Sequence, residues 1–372
     1  MTGHAQTGRR RWRTGLAVLL AAVAVAAGAT VALRLAADRQ PEPGARPGSA
    51  APTPSAVAPS PTPPPGAGVT GPLNLLMVGV DTRVSVPGWE PHGDAVLIAH
   101  VTKELDRAYL FSLPRDLLVD IPAYPRAGYD GGRTKLTNAM SYGSRVPGKP
   151  KEPSVAQGYE LLRGVVSGYT GLRVDAGAVV TFQGFEKLVD AVGGVDLHID
   201  QRTVSLHRRP DGRHRDPAPG GGGYTGPQMV YETGERHLNG WQALDYARQR
   251  YGLANGAYDR QRHQQQLLRA LVAKLQAEGL PRQPDRVEQV VAALGDTLLY
   301  AGGPRIVDLA YALGGLPADR LVLVALPGEG VGRGSVYRGE QLEPVGREFL
   351  TALKEGRAEK YLADHPELVV RR

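Results

Sequence analysis

The chain is divided by a stretch that cannot contribute to a folded core. From Pro41 to Pro72 it consists almost entirely of Pro, Ala, Gly, Ser and Thr, and this stretch holds eleven of the chain's thirty prolines. Such a composition buries too little apolar surface to fold and favours an extended spacer. We therefore predict a linker over residues 34–72 and one folded domain over residues 73–372.

The residues before the linker are typical of a membrane anchor. Residues 1–13 carry four arginines and no acidic residue, and Thr14–Leu33 contains no charge. A helix of about 20 residues matches the hydrocarbon core of a bilayer, and basic residues before it stay in the cytoplasm. We therefore predict a cytoplasmic tail at 1–13, a single transmembrane helix at 14–33 in the cell membrane, and an extracytoplasmic domain. The alternative is a cleaved signal peptide, because AVA and AAGA resemble cleavage sites.

The charge distribution argues against nucleic acid as a partner. The whole chain has a formal net charge of +7, of which the first 40 residues, with six Arg and one Asp, supply +5. Residues 41–72 are neutral, which leaves only +2 for the folded domain. Nucleic-acid-binding domains usually carry a much more basic surface. The chain has no Cys, so disulfides, zinc-thiolate sites and thiol catalysis are excluded.

The pattern of apolar residues in the domain predicts an α/β fold. Strands are expected at 73–80, 94–102, 107–113, 177–182, 195–200 and 320–326. Helices are expected at 153–169, 183–192, 240–249, 259–279, 283–299, 304–315 and 340–355. Only four residues join the second strand to the third, so these two strands should form an antiparallel hairpin. Strands that alternate with helices favour a mixed sheet covered on both faces, and residues 207–227 should form a long irregular loop.

Three charged residues should meet at one edge of this sheet. Asp81 follows the first strand, Asp94 opens the second and Arg115 follows the third. If these strands are antiparallel neighbours, all three residues lie at the same edge. Two carboxylates and an arginine could hold Mg²⁺ together with phosphate oxygens. In the alternative interpretation the aspartates cap turns, and Arg115 pairs with Asp116 or with one of them.

A group of basic residues surrounds the end of one predicted helix and the start of the next. Between Tyr246 and Ala277 the sequence contains a single acidic residue, Asp259. The basic residues of this segment are Arg248, Arg250, Arg260, Arg262, Arg269 and Lys274. Guanidinium groups without carboxylate partners suit phosphate oxygens, which they bind through paired hydrogen bonds. The alternative is a basic helix that faces water.

The spacing of these residues favours a clamp for a diphosphate. If Asp259 is the N-cap of the second helix, Arg260 lies in its first turn, where free N–H groups also attract anions. Gln264 then lies one turn later on the same face. Arg248 and Arg250 can converge on the same anion only if the first helix unwinds where it ends.

Seven short motifs follow one another in order across most of residues 73–335. They are NLLMVGVDTR (74–83), HGDA (92–95), FSLPRDLLVDIP (111–122), KLTNAMSYG (135–143), FEKLVDAVGGVDL (185–197), LNGWQALDYARQR (238–250) and DRQRHQQQ (259–266). In these motifs the chain resembles the LytR-CpsA-Psr family of membrane-anchored cell-wall transferases. The resemblance implies a three-layer α/β/α sandwich with a central mixed sheet and a hydrophobic pocket for a polyprenyl chain.

The resemblance also implies a reaction. Members of the family transfer glycopolymers from a polyprenyl-pyrophosphate carrier to peptidoglycan through a phosphodiester bond, with Mg²⁺ as cofactor. By position, Asp81 and Asp94 match the carboxylates near the metal and Arg115 matches a catalytic residue beside them. The polar clamp around the pyrophosphate corresponds to Arg83, Arg115, Arg248, Arg250, Arg260 and Gln264. Either aspartate could act as the general base.

The chain departs from the family's usual motifs at three positions. His92 and Ala95 replace an Arg and a Thr that flank the second aspartate, and His263 replaces an Arg before the glutamines. A histidine can still contact phosphate, with a charge that depends on pH. Two other functions remain open at this stage. One is a hydrolase that acts on the same glycolipid, and the other is a non-catalytic glycolipid-binding or regulatory protein.

Overall fold

The computed structural model describes residues 64–81, 86 and 88–370. Its strands are β1 (Leu73–Asp81), β2 (His92–Val101), β3 (Ala108–Leu113), β4 (Leu118–Ile121), β5 (Gly132–Lys135), β6 (Ala176–Thr181), β7 (Val195–Ile199), β8 (Thr203–Val204), β9 (Asp216–Pro217), β10 (Tyr224–Thr225), β11 (Val230–Tyr231), β12 (Gly234–Leu238), β13 (Leu298–Gly302), β14 (Leu321–Val324), β15 (Gly328–Val331) and β16 (Gly339–Leu342). Its helices are α1 (Thr137–Ser144), α2 (Val155–Thr170), α3 (Phe182–Ala191), α4 (Gly240–Arg248), α5 (Ala257–Ala277), α6 (Pro284–Leu294), α7 (Ile306–Leu313), α8 (Pro344–Lys354) and α9 (Ala358–Asp364).

Six of these strands form one central sheet, in the order β13, β6, β1, β2, β3, β14. β1 is parallel to β6 and antiparallel to β2, and β3 is antiparallel to β2 and parallel to β14. β13 is antiparallel to β6 at one edge of the sheet. The predicted mixed sheet and the predicted hairpin between the second and third strands are therefore confirmed.

Helices cover both faces of the sheet. Leu75 and Met77 of β1 pack on the side of α3 to α7, whereas Leu76 and Val78 pack on the side of α1, α2, α8 and α9. This alternation follows from the two-residue period of a strand. A fully buried side chain of this size contributes about 1.5–3 kcal/mol to folding. The described residues thus form three layers, helix, sheet and helix, with a core on each side of the sheet.

Local sequence fixes the ends of the two helices that carry the basic residues. At the start of α4, Asn239 accepts a hydrogen bond from the backbone of Gln242, whose side chain accepts one from the backbone of Asn239 in return. The helix ends at Arg248, because Gln249 has an extended backbone. α5 then begins after Gly256, which has a φ of 51° that favours glycine.

Two predicted elements differ in the structure. The helix expected at 283–299 ends at Leu294, and the chain then enters the edge strand β13. The strand expected at 195–200 exists, but it pairs with β12 in a separate two-stranded ribbon. In both cases the apolar residues are buried as expected. The spacing of apolar residues over a short segment does not distinguish the last turn of a helix from a strand, and it does not show which sheet a strand joins.

The folded part begins before the predicted boundary. Val69 is buried in the core on the side of α7, and the backbone N–H of Gly66 donates a hydrogen bond to Asp308 Oδ1 at 3.1 Å. Residues 64–72 therefore pack against the domain, although the sequence predicted a linker there. The rest of the linker and the predicted transmembrane helix at 14–33 lie outside the described residues. Within the described residues, no helix is both long and apolar enough to cross a bilayer.

Candidate active site

An apolar pocket opens between the sheet and the helices α3, α4 and α5. It contains about 790 Å³ of space not occupied by atoms, counting its open mouth. Its lining includes Met77, Leu97, Val180, Phe182, Phe185, Leu188, Leu244, Ala247, Leu267, Leu268 and Leu271. The polar residues at this pocket are Thr181, Arg248 and Gln264. Such a pocket suits an apolar chain with a polar group at its end.

The carboxylates predicted at the sheet edge lie beside this pocket because of a β-bulge. Val80 pairs with Gly93 and Gly79 pairs with Ala95, so Asp94 is the extra residue of β2. Gly93 faces the α2 side of the sheet, whereas Ala95 lines the pocket on the opposite side. A bulge turns two successive side chains towards one face and often occurs next to active sites. Asp94 is thereby directed to the pocket side of the sheet, and Asp81 ends β1 next to it, opposite His92.

Arg115 reaches the same edge, as predicted. Its Nη1 donates a hydrogen bond to Asp94 Oδ1, and its Nε lies 3.7 Å from Asp116 Oδ1. Asp116 also lies 3.5 Å from the amino group of Lys135. The pairing expected in the alternative interpretation is therefore present. It leaves the buried Nε of Arg115 without a hydrogen-bond partner, so this pairing does not satisfy the whole guanidinium group.

Arg260 is the most unusual charged residue of the site. Its side chain is buried, with 8% of the residue exposed, and its Nε has no hydrogen-bond partner. Burial and the nearby positive charge of Arg115 lower the pKa of Arg260 to about 10, while Asp94 acts in the opposite direction. Within the described residues no carboxylate forms an ion pair with it. A buried guanidinium in this state is costly, and an anion bound between the arginines would relieve the cost.

The two arginines at the end of α4 take different directions. Arg248 lies over the ring of Phe182, 4.2 Å from its centroid, at the mouth of the pocket. Arg250 lies over the ring of Tyr251 and adds to the positive charge around Arg260. Gln264 lines the pocket and donates a hydrogen bond to the backbone oxygen of Ala247 at 3.2 Å. The predicted clamp is thus spread between the pocket mouth and the group formed by Arg115, Arg250 and Arg260.

Other predicted features of α5 are wrong. Asp259 is not the N-cap, because the helix begins two residues earlier. It lies in the first turn and accepts a hydrogen bond from the backbone of Asn255 at 2.8 Å. Arg262 is not free for an external anion, since it pairs with Asp259 and with Asp200. Lys274 lies 3.2 Å from Glu278, so the basic character of this helix is largely neutralised outside the site.

His263 is excluded from contact with a bound phosphate. It is fully buried, stacks on Tyr246 and lies 3.3 Å from Asp200 Oδ1. Although burial acts to raise the pKa of Asp200, hydrogen bonds from His263, Arg262 and Gln266 hold it well below its ordinary value of 3.8. His263 therefore belongs to a buried polar network behind the site. His92 instead donates a hydrogen bond from its Nδ1 to the backbone oxygen of Glu90 at 2.8 Å.

The predicted site also included Arg83 and a metal ion held by carboxylates. Arg83 lies outside the described residues. The described residues contain no cluster of three or more His, Cys, Asp or Glu side chains that could hold a metal. Sequence reasoning also missed Lys135 beside Asp116, although this lysine opens the motif KLTNAMSYG.

Comparison with known proteins identifies relatives of this chain. A model of the LytR_cpsA_psr family matches residues 49–343. Biofilm regulatory protein A of Streptococcus mutans is 26% identical over 210 residues, which cover 55% of this chain and 45% of that protein. The polyisoprenyl-teichoic acid–peptidoglycan teichoic acid transferase TagU of Enterococcus faecalis is 27% identical over 204 residues, which cover 55% of this chain and 54% of that protein. The match thus spans about half the length of these curated relatives.

The fold also has a counterpart among solved structures. The crystal structure of TagV from B. subtilis superposes with a TM-score of 0.54 at 18% sequence identity. The superposition covers 78% of this chain and 98% of that one. At this identity the similarity establishes a shared mixed α/β fold.

Proposed function

The chain belongs to the LytR_cpsA_psr family, and on that premise we propose that it transfers a glycopolymer from a polyprenyl-pyrophosphate carrier to peptidoglycan. The observation that carries this proposal is the position of Arg260. It is buried and has no carboxylate ion-pair partner among the described residues, and only one helical turn separates it from Gln264 at the mouth of the apolar pocket. The pocket suits the polyprenyl chain, and the arginines suit the diphosphate at its end.

The proposed reaction is a phosphoryl transfer. A hydroxyl oxygen of the peptidoglycan sugar attacks the phosphorus that carries the glycan, and the bond from this phosphorus to the bridging oxygen breaks. Polyprenyl phosphate leaves, and the hydroxyl proton passes to a carboxylate at the sheet edge, Asp81 or Asp94. Arg115, Arg250 and Arg260 stabilise the charge on the phosphate oxygens, which is the main requirement of such reactions.

The donor set at the sheet edge fits the proposed Mg²⁺. Asp81 and Asp94 supply two carboxylates, and protein sites for this ion commonly combine one or two carboxylates with substrate phosphates and water. The bound ion would neutralise charge on the diphosphate. Arg115 holds one oxygen of Asp94, so this residue orients a proposed metal ligand as well as binding phosphate.

The N-terminal sequence supports an extracytoplasmic position for this site. Four arginines precede the uncharged run at 14–33, which favours a cytoplasmic N-terminus and a membrane anchor. Protease added to intact cells whose wall has been removed should cleave the domain. Complete protection would contradict this placement.

An enzymatic assay tests the proposed function. The full chain in detergent would be incubated with Mg²⁺, a polyprenyl-pyrophosphate-linked glycan and a peptidoglycan oligomer, and mass spectrometry would detect the phosphodiester product. We expect a conjugate that is lost with EDTA and with Arg115→Ala. Free glycan phosphate without a conjugate would instead identify a hydrolase. Bound glycolipid without any turnover, with an acceptor that a related transferase accepts, would identify a binding protein.

A further inference from the structure

Exposed hydrophobic side chains are concentrated next to the arginines. Among the described residues, five large hydrophobic side chains are exposed, and three of them are Tyr251, Val336 and Tyr337. Tyr251 is 61% exposed and Tyr337 is 37% exposed. We call these two tyrosines the tyrosine shelf. Exposed aromatic residues grouped beside a polar site commonly mark a surface that binds a ligand.

Direct contacts join the tyrosine shelf to the charged site. The guanidinium of Arg250 lies 4.7 Å from the ring centroid of Tyr251 and donates a hydrogen bond to its hydroxyl oxygen at 2.7 Å. The amino group of Lys135 lies 4.9 Å from the ring centroid of Tyr337 and 3.5 Å from Asp116. Tyr251 therefore contacts an arginine of the proposed diphosphate site directly. Tyr337 is connected to Arg115 of that site through Lys135 and Asp116.

Helix α5 gives the order of these features along the site. Leu271 and Leu267 line the pocket, and Gln264 and Arg260 follow towards the start of the helix. Tyr258 comes next, and its hydroxyl donates a hydrogen bond to Glu340 Oε2 at 2.8 Å. With a rise of about 1.5 Å per residue, the helix spans roughly 20 Å from the pocket to this tyrosine.

Tyr337 lies at the far end of this line. Burial raises the pKa of Tyr337, and the positive charge of Arg250, which lies over the ring of Tyr251, acts in the opposite direction, so both tyrosines lie near Arg250. The hydroxyl of Tyr337 donates a hydrogen bond to the other carboxylate oxygen of Glu340 at 3.4 Å. Glu340 thus connects the start of α5 to the shelf. The pocket and the shelf are therefore on opposite sides of the arginines.

We propose that Tyr251 and Tyr337 bind the pyranose ring of the acceptor, the sugar that supplies the attacking hydroxyl. The inference rests on the proposed function. In phosphoryl transfer the attacking and leaving oxygens are roughly in line. The leaving oxygen belongs to the lipid phosphate and lies towards the pocket, so the attacking hydroxyl must arrive from the opposite side, where the shelf lies.

The chemistry of the shelf fits a sugar ring. A pyranose presents a patch of C–H bonds whose partial positive charge is attracted to the negative face of an aromatic ring. Glu340 and Lys135 lie beside Tyr337 and can form hydrogen bonds with the hydroxyl groups of the sugar. The tyrosine rings therefore suit the C–H patch of the pyranose, and the charged groups beside them suit its hydroxyl groups.

Binding measurements on the full chain in detergent test this assignment without requiring turnover. Saturation-transfer NMR would detect contacts to a peptidoglycan tetrasaccharide, and a separate titration would measure the affinity for polyprenyl-pyrophosphate-linked sugar. Tyr251→Phe keeps the aromatic ring, whereas Tyr251→Ala removes it. Both lose the hydrogen bond from Arg250, so the difference between them isolates the ring. Tyr224→Ala changes an exposed tyrosine outside the shelf and serves as the control.

We expect Tyr251→Ala and Tyr337→Ala each to weaken tetrasaccharide binding about tenfold, because a lost aromatic contact is worth up to about 1.5 kcal/mol. Tyr251→Phe and Tyr224→Ala should stay within about twofold of the unaltered chain, and donor affinity should not change. A loss of donor affinity with unchanged tetrasaccharide binding would overturn the assignment and place the donor sugar on the shelf. Unchanged binding of both ligands would also overturn it.

These outcomes separate the inference from the proposed function. If the chain binds the tetrasaccharide through the shelf but forms no conjugate, the shelf is an acceptor-binding surface and the proposed transfer reaction is contradicted. If the chain forms the conjugate, and Tyr251→Ala and Tyr337→Ala have the same KM for the acceptor as the unaltered protein, the transfer reaction stands. The assignment of the acceptor sugar to the shelf is then contradicted.

Discussion

At the residue scale, two arginines of α5 have different roles because their surroundings differ: one is placed to bind an anion and the other stabilises the fold. Arg260 and Arg262 are two positions apart, and the sequence gives them the same chemistry. Arg260 is buried among other positive charges without an ion pair in the described part of the chain, whereas Arg262 pairs with Asp200 and Asp259. Arg260 therefore carries an unpaired buried charge, whose cost a bound anion would reduce. Arg262 instead neutralises the buried carboxylate of Asp259 and the partly buried carboxylate of Asp200.

Substitution of each arginine by methionine should have opposite consequences. Arg260→Met should leave the thermal unfolding temperature unchanged or raise it, because an unpaired buried charge is removed. Its transfer activity should fall about 100-fold, since charge-assisted hydrogen bonds to phosphate contribute about 1.5–3 kcal/mol each. Arg262→Met should lower the free energy of unfolding by about 1.5–3 kcal/mol, the contribution of hydrogen bonds to charged groups, and leave more activity per folded molecule than Arg260→Met. Thermal unfolding measures the change in stability of both variants, and the conjugate assay measures the change in their transfer activity. Equal loss of stability in the two would contradict the assignment.

The pKa of Asp200 predicts a dependence of stability on pH. Hydrogen bonds from His263, Arg262 and Gln266 outweigh burial and lower this pKa from its ordinary value of 3.8. The folded protein then holds the ionised form more strongly than the unfolded chain does. The contribution is therefore complete above the ordinary value and is lost as the pH falls through the pKa of the folded state.

Urea unfolding between neutral and acidic pH checks this dependence. Asp200→Asn removes the titrating group, so its stability should decrease less steeply below about pH 4 than that of the unaltered protein. The exposed Asp211→Asn provides a comparison with a carboxylate at the surface. Parallel pH profiles for Asp200→Asn and the unaltered protein would rule out this role of Asp200.

At the element scale, the sequence predicts five of the six strands of the central sheet and seven of the nine helices in the described residues, but not the edge strand β13 or the bulge that positions Asp94. Asp81, Asp94 and Arg115 could be assigned to one edge because the hairpin between β2 and β3 has a short turn. The bulge that directs Asp94 to the pocket side is invisible in the alternation of β2, since an extra residue only appears once the two strands are paired. Likewise, the partners of Arg262 and His263 include Asp200, which is about 60 positions away, so their burial could not be inferred from α5 alone.

The pocket formed by α3, α4 and α5 gives a test of the proposed lipid site. Leu268 lines this pocket and is only partly buried, so a larger side chain can be placed there with little loss of stability. Leu268→Trp should raise the KM for a long polyprenyl donor about tenfold by filling the pocket, and should hardly affect a donor with a short prenyl chain. Kinetics with both donors measure the difference.

Ala273→Trp is the matched control for this change. Ala273 lies on the same helix but is exposed and lines a separate surface cavity with Asp196 and Asp319. We expect no difference between long and short donors in this variant. Equal effects of both tryptophans, or equal effects on both donors, would mean that the pocket does not hold the prenyl chain.

At the scale of the whole molecule, the apolar pocket, the arginines and the tyrosine shelf follow one another along a single proposed binding site. The three-layer fold makes this possible, because α5 crosses the sheet edge where β1, β2 and β3 deliver their charged residues. The folded domain that carries this site begins before residue 73, although the composition of residues 34–72 predicted a linker. Val69 and Gly66 lie in a Pro-rich stretch, yet Val69 is buried in the core and Gly66 donates a hydrogen bond to Asp308 of α7.

Truncation tests where the folded unit begins. A chain that starts at residue 73 should be about 2 kcal/mol less stable than one that starts at residue 64, because it loses the buried side chain of Val69 and the hydrogen bond from Gly66 to Asp308. Val69→Ala in the longer chain should account for part of the difference. Urea unfolding of the three proteins measures it, and identical stability of the two chain lengths would show that residues 64–72 add nothing to the fold.

In the proposed function, Arg260 and its neighbours bind a diphosphate whose lipid enters the adjacent pocket. Isothermal titration of the full chain with a polyprenyl diphosphate, and with the corresponding uncharged prenyl alcohol, tests it most directly. We predict that the diphosphate binds at least about 100-fold more tightly than the alcohol, and that Arg260→Met removes most of this difference. Equal affinity for the two ligands, or an unchanged preference for the diphosphate in Arg260→Met, would show that Arg260 does not bind the diphosphate.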